Sequence, residues 1–472
     1  MVRPKLGMAV LGVLALVSAA CGSRLPDDTL KALDARNANT AAPVADANGT
    51  TDATTATDAS GVDTGSPSGD SSSGPSTGGG TATTVKAASS CGTGGATAPG
   101  VTATEIKVAS IVTDSGPLPG ATEGSYRGAA SYFAKVNAEG GVCGRKITLL
   151  KGDDGLDPAK GRAEFLRLEP KVLGIVSNFS VADSGYIDLI KSTGVPYASL
   201  TVDPAGADLK NVFPKNRRDV LSTAPFVWLK QQHPAVKRAA ILYADIGGVG
   251  ANVPGFEKAI QRAGFELVRP TEAVRVTDPD YTGIIRNLQS ANVEFLYLFA
   301  FEVNMHVRFV RNMKQQGYNP PIKAANIAFN TRFSELLGKD GDGWENHQTF
   351  LPFLDPAEKA RSKPLADFID WNNRRYPGGQ LDLFPVDGWG YAAYFVDALR
   401  IAGGNLTRKT LLDAFAKVPK FDFGGINAAT NPATGQGDRC FVMAKHVGGI
   451  WRREHPASGG YECNLGEIYK FK

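Results

Sequence analysis

From Glu105 onward, aliphatic and β-branched runs alternate with stretches whose apolar residues recur at helical spacing. EIKVASIVT (105–113) predicts a strand. Residues 121–138 then place Tyr126, Ala129, Ala130, Phe133 and Val136 on one helical face, ended by Gly140 and Gly141. KITLLKGDD, a helix from Pro158 to Leu168, LGIVSNF, a helix from Ala182 to Lys191 and VPYASLT continue the alternation, which breaks at VFPKNRRDV (212–220). It restarts with a helix through Phe226, Val227 and Leu229, strand AAILYAD, a helix from Val253 to Ala263 and strand FELVR. A helix from Tyr281 to Ser290, strand FLYLFA, the helix VNMHVRFVRNMKQQG and a short strand near Ile322 follow. Residues 356–417 read as mostly helical, with Ala366, Ile369 and Trp371 in one segment and Ala392, Phe395, Val396 and Leu399 in the next. The final fifty residues read as short strands, CFVMAKHV and GGIWRR among them. Strands alternating with helices at this spacing predict an α/β fold, and two such series predict two similar lobes, each a parallel sheet flanked by helices.

The start of the chain follows neither period. Arg3 and Lys5 precede an apolar run from Leu6 to Val17, then Ser18, Ala19, Ala20 and Cys21. A basic start, a short hydrophobic run and small residues predict a signal peptide over 1–20, too short to span a membrane stably. VSAAC followed by Gly22 resembles the lipobox of bacterial lipoproteins, which implies acylation of Cys21; an ordinary secretory signal with an incidental cysteine is the alternative. Residues 37–90 contain no Leu, Ile, Met, Phe, Tyr or Trp, so they cannot bury enough apolar surface to offset the entropy of ordering. Residues 21–92 are therefore expected to form a disordered linker spanning roughly 45 Å, tethering a body that starts near Thr93 to the extracytoplasmic face of the membrane. No later stretch has the 18 or so apolar residues of a spanning helix.

Charge excludes more than it suggests. The formal net charge of the 472-residue chain is +4, and no block of Lys and Arg interleaved with aromatics is present, which argues against nucleic acid. Setting Cys21 aside leaves Cys91, Cys143, Cys440 and Cys463, an even number in an exported chain. Three pairings are possible, and proximity in sequence favours Cys91 with Cys143 and Cys440 with Cys463. Without a CxxC pair, and with five scattered histidines, neither a zinc site nor any other cofactor is expected.

The opening block GVTATEIKVASIVTDSGPLPGATEGSYRGAASYFAKVNAEGGVCGRKITLLKGDD, the strand–loop units GIVSNFS and VPYASLTVDP, and then AAILYAD, DYTGIIRNLQSANVEFLYLFAF and VDGWGYAAYFVDAL keep one order. In that order, from about Gly100 to about Trp451, the chain resembles the type I periplasmic binding proteins of ABC importers, in particular the leucine/isoleucine/valine-binding branch. The resemblance implies two lobes joined by three chain crossings, near Pro214, Phe350 and Gly424. The N-terminal lobe would comprise 93–215 plus 350–424, and the C-terminal lobe 216–349 plus 425–472. It also implies a monomer that holds a small-molecule ligand and meets an ABC importer permease. Amino-acid-binding members use a serine-rich loop, an alanine–threonine pair, an acidic residue and tyrosines. Here the corresponding loops read SNFS, SLTV and ANIAFN, which leaves an amide, an aromatic acid or a larger hydrophobic acid open beside an amino acid or small carboxylate.

In open parallel sheets ligands bind beyond the carboxyl ends of the strands, where helix N-termini present free N–H groups. The candidates are therefore loop residues after strands: Ser115 with Asp114, Asn178, Phe179, Ser199 and Thr201 from one lobe. Asp245, Phe301, Glu302 and Asn326 come from the other, and Asp387 and Trp389 from the helical return segment. Each has a plainer alternative. Asn178, Ser199, Thr201, Asp114 and Asp245 can cap helices, Phe179 and Phe301 can be core, Trp389 can pack under the lobe interface, and Glu302 can be solvated. An exported α/β hydrolase is the rival class, but no GxSxG elbow or HExxH is present, and IGGVGAN lacks the third glycine of a dinucleotide loop because Val253 stands there. A non-enzymatic role is expected; a lipoprotein that senses its ligand without transporting it needs the same cleft.

Overall fold

The computed structural model describes Cys91 and residues 98–217, 219–435, 439–457 and 459–471. The signal segment, Cys21 and the linker apart from Cys91 lie outside these residues. Among the described residues no helix is long and apolar enough to cross a membrane. Disulfides join Cys91 to Cys143 and Cys440 to Cys463.

Strand β1 (Glu105–Val112) is buried on both faces over most of its length, which is why its sequence reads as an apolar run rather than an alternation. With β2 (Lys146–Asp153), β3 (Gly174–Val176) and β4 (Tyr197–Ala198) it forms a sheet of order β2-β1-β3-β4, parallel throughout. The helices between them are α1 (Glu123–Ala138), α2 (Pro158–Leu168) and α3 (Ile187–Thr193). Asp157 caps α2 by accepting from the Ala159 and Lys160 amides, with Pro158 opening the helix.

The second sheet repeats the order. After β5 (Val220–Ser222) and α4 (Ala224–Gln232), β6 (Arg238–Ala244) pairs on one side with β7 (Glu266–Leu267) and β8 (Glu272–Val274). On its other side it pairs with β9 (Phe295–Phe299), followed outward by β10 (Ile322–Ala325) and β11 (Trp344–Gln348), all parallel. Between them run α5 (Val253–Arg262), α6 (Thr282–Ser290), α7 (Val303–Gln315) and α8 (Thr331–Leu337). In both sheets the third strand lies on the opposite side of the first from the second, so each has a switch point where the chain reverses direction. Beyond β11, strands β12 (Val442–Val447) and β13 (Ile450–His455) extend the second sheet as an antiparallel hairpin. Gly448 and Gly449 both have positive φ, as a tight two-residue hairpin turn requires. The last strand, β14 (Ile468–Lys470), returns to pair with β5.

The chain passes between the sheets around residues 213–220, again around 349–356, and a third time around 424–428, where Phe350 and Asn427 form an antiparallel bridge. The second and third passages bracket α9 (Pro356–Arg361), α10 (Lys363–Arg375), α11 (Leu383–Ala402) and α12 (Arg408–Phe415). An aromatic line runs through this region. Trp451 meets Phe329 at 5.6 Å, Phe329 meets Phe353 at 4.9 Å, Phe353 meets Phe368 at 5.7 Å, Phe368 meets Trp389 at 5.7 Å, and Trp389 meets Tyr132 at 4.9 Å. One apolar cluster thus carries residues of the second sheet and of the helical return segment, with Tyr132 of α1 packed against it from the first lobe.

Helices α1 and α11 cross in backbone contact. A Cβ on Gly128 would lie 1.9 Å from the Pro385 carbonyl oxygen, and one on Gly388 would lie 2.0 Å from that of Ser125. Only glycine fits at either place. Gly128→Ala is expected to destabilise the protein by about 1–3 kcal/mol, because the helices must move apart. Gly283→Ala, in a helix where a Cβ meets nothing within 4 Å, should be neutral or stabilising by up to about 1 kcal/mol. Urea denaturation of both variants checks this, and equal effects would show that the crossing tolerates a side chain.

Candidate ligand-binding cleft

The carboxyl ends of the two sheets face one another across a cleft of about 640 Å³. One wall is built from the loop 118–124, Arg127 of α1, residues following β3 and β4, and the start of α11. The other comes from residues following β6, β9 and β10, and the hinge passages supply Lys215, Asn216, Arg217 and Phe350. These are the loops at the switch points of both sheets. At those points Ser177, just after β3, and Ala300, just after β9, have φ of 53° and 59°, an uncommon left-handed backbone for residues with a side chain. The two lobes also touch: a Cβ on Gly247, itself at φ +44°, would lie 2.2 Å from the Val181 carbonyl oxygen across the cleft mouth.

Of the candidate residues, Phe179, Glu302, Asn326 and Asp387 line the cleft. The structure places the other eight elsewhere. Asp114 pairs with Lys151 at 2.8 Å outside the lining. Asn178 is buried as a structural tie: its Oδ1 accepts from the Ile111 amide at 2.7 Å, and its Nδ2 donates to the hydroxyls of Tyr186 and Tyr197. Ser199 donates to the Asn178 carbonyl at 3.1 Å. Thr201 is buried beneath Gly206, whose absent side chain makes room for it. Ser115 is engaged by Asp153 and Lys160 away from the cleft. Asp245 is exposed outside the lining. Phe301 is core beside Phe309, and Trp389 belongs to the aromatic line between the lobes.

Sequence reading missed most of the wall. The first lobe's loop 118–124 and the turn 378–380 carry glycine and proline, a signal of loops but not of their convergence. The phenylalanines were missed almost entirely. Phe179 and Phe384 stand on one side, Phe226, Phe256, Phe299 and Phe441 on the other, and Phe350 and Phe471 complete eight. With 23 phenylalanines in the whole chain, a third of them gather in one cleft, and those after residue 430 arrive there only because β12 and β14 return to the second lobe.

A family model described as "Periplasmic binding protein" matches residues 105–449. The chain is a type I periplasmic binding protein. A Leu/Ile/Val-binding protein homolog 7 from Brucella abortus is 28% identical over 344 residues, 69% of this chain and 80% of that one. Among solved structures, a fatty acid ABC transporter substrate-binding protein from Thermomonospora curvata superposes with TM-score 0.63 at 21% identity, covering 79% of this chain and 94% of that one. The substrate-binding protein LivJ of Streptococcus pneumoniae in complex with isoleucine superposes at 0.59 and 17% identity, covering 75% and 100%. The family consists of solute-binding proteins that work outside the cytoplasm with ABC transporters, and this chain's two switch-point loops supply the corresponding cleft.

The charged groups of this binding protein's cleft are partnered internally. Lys215 and Asp387, both buried, form an ion pair across the hinge, and the Lys215 amide donates to the Tyr391 hydroxyl at 3.0 Å. Arg127 pairs with Glu123 at 2.7 Å, and Arg217 with Asp208 and Asp219, each at 2.7 Å. Glu302 accepts from the amides of Asn304 and Met305 and so caps α7, while Asn326 Oδ1 accepts from the Ala300 amide. His347 shares a 2.8 Å hydrogen bond with the Tyr297 hydroxyl, and burial lowers its pKa to about 4, so the ring is neutral. Asp382 caps α11 through the Phe384 amide and accepts from Asn330 Nδ2 of the opposite lobe at 3.0 Å. Burial raises its pKa to about 6 against the opposing pull of the Phe384 amide and Arg127.

The two aspartates at the head of α11 should respond oppositely to neutralisation. Asp387→Asn leaves Lys215 buried without its counter-charge and should cost about 3–5 kcal/mol, while Lys215→Met with Asp387→Leu should restore most of the loss. For Asp382 the folded pKa lies above the unfolded one. Its stabilising contribution is therefore full below the unfolded value and lost as pH rises through about 6. Asp382→Asn keeps a good cap and should gain on the order of 1–3 kcal/mol at neutral pH and almost nothing near pH 4. Denaturation at both pH values checks this, and a gain independent of pH would contradict the assignment.

Proposed function

We propose that the protein is a lipid-anchored lipoprotein that captures one small organic solute in this cleft and delivers it to an ABC importer permease. The observation that carries the reading is the cleft itself, built from the switch-point loops of two sheets of the same strand order and narrowed where Gly247 meets Val181. Phe179, Glu302, Asn326 and Asp387 are the sequence-derived candidates in its lining. An amino acid, an amide or a small carboxylate is compatible with a solute-binding role. Similar proteins include one solved in complex with isoleucine and one that serves a fatty acid transporter, and the aromatic lining here favours the apolar end of that range. Membrane attachment through Cys21, which lies outside the described residues, is supported by the small residues before it and the linker composition after it.

Deleting the gene should abolish uptake of the solute recovered from the purified protein, and restoring the Cys21→Ala form should leave the protein in the soluble fraction with uptake reduced. Uptake unchanged by deletion, with an altered cellular response to the solute, would assign the protein to sensing rather than import. Turnover of the solute would move it to the enzymes.

A further inference from the structure

We infer that the solute is a drug-sized, predominantly apolar molecule without a carboxylate or other anionic group, carrying a single hydrogen-bonding group held at Asn216, and not a free amino acid. This rests on the solute-binding reading and narrows it.

Size is the first ground. A cleft of about 640 Å³ lies within the roughly 300–1,000 Å³ typical of sites for drug-sized ligands, and a single amino acid would leave most of it to water against aromatic walls. Chemistry is the second. Phe179, Phe384 and Phe471 are half-buried at the cavity and the buried rings of Phe226, Phe256, Phe299, Phe350 and Phe441 back its wall, and a wall of this kind rewards apolar area and ring contact rather than charge.

Electrostatics is the third ground. The lining contains three basic side chains, Arg127, Lys215 and Arg217, and four acidic ones, Glu123, Glu302, Asp382 and Asp387. Every one has a partner inside the protein. A ligand carboxylate would find every lining cation already ion-paired, and would face the carboxylates of Glu302 and Asp382, which only amide donors hold, so it would be desolvated without compensation. A zwitterion would meet that penalty at its carboxylate.

One polar vacancy remains. Among the described lining residues two buried side-chain atoms make no hydrogen bond, Arg127 Nε and Asn216 Oδ1. The first faces Glu123 in an ion pair; the second has no partner of either kind. Asn216 sits on the first hinge passage beside Lys215, so a ligand hydroxyl or amide bound there would satisfy a group that is otherwise buried at a cost.

The test uses the full chain carrying Cys21→Ala, purified without detergent and stripped on a hydrophobic resin. Titration calorimetry at about pH 8, where a fatty acid headgroup is ionised, compares dodecanol, dodecanoate and leucine. Dodecanol should bind one per chain and about tenfold or more tighter than dodecanoate, and leucine should give no heat. Phe384→Ala should weaken dodecanol binding about tenfold. Asn216→Ala should do the same while leaving the affinity for dodecane unchanged, which a merely structural loss would not. Tighter binding of leucine or dodecanoate overturns the inference and leaves the solute-binding reading intact. If no probe binds and the organic extract of unstripped protein is empty, the solute-binding reading itself fails.

Discussion

The close crossing of α1 and α11 sets the first lobe's half of the cleft. Gly128 lies against the Pro385 carbonyl and Gly388 against that of Ser125, so the two helix starts are held side by side. From that pair come Thr122, Glu123 and Arg127 on one helix and Asp382, Phe384 and Asp387 on or just before the other, all in the cleft wall. The return segment that carries α11 belongs by sequence to neither sheet, yet its Trp389 and Phe368 tie it to both lobes through one aromatic line. A wall assembled this way is fixed on its outer side by packing and is free to be apolar on its inner side.

The second consequence is electrical. Cleft-facing carboxylates and cations satisfy helix ends and one another, as when Glu302 caps α7 or Lys215 pairs with Asp387 across the hinge. Such groups stiffen the walls and the hinge, and the cations among them are already ion-paired. What remains at the cavity is a largely apolar wall, with Phe179, Phe384 and Phe471 half-buried in it, together with the buried amide oxygen of Asn216. Buried apolar area rewards any ligand that displaces water from it, and the contact between Gly247 and Val181 shows that the lobes can approach closely enough to exclude solvent.

Much of the fold was legible because the central strands β1, β3, β6 and β9 are buried on both faces over most of their length and announce themselves as continuous apolar runs. The helix expected from Pro158 to Leu168 has those bounds, since Asp157 and Pro158 mark its start chemically. Strand β11 escaped notice because its residues Glu345, Asn346, His347 and Gln348 are polar, and their burial depends on neighbours from β10 and β12. The site was less legible for a related reason. Asn178, Ser199 and Thr201 stand after strand ends, as ligand-binding residues do, but two of them are consumed by hydrogen bonds with partners in other strands and loops, and the third is packed under a glycine. Nothing in the spacing of the chain separates a polar residue turned inward to tie strands from one turned outward to a ligand. Phe441, Phe471 and Asn216 carry no local signal at all, because only the returning strands and the hinge bring them to the cavity.

The central claim is that the two lobes close on a solute held between their switch-point loops. Pulsed dipolar spectroscopy between spin labels at Ala205 and Ala251, which flank the cleft mouth on opposite lobes, tests it directly. Stripped protein should give a broad distribution of longer distances, and protein refilled with the molecule recovered from it a narrow distribution at shorter ones. Identical distributions in the two states would contradict the account.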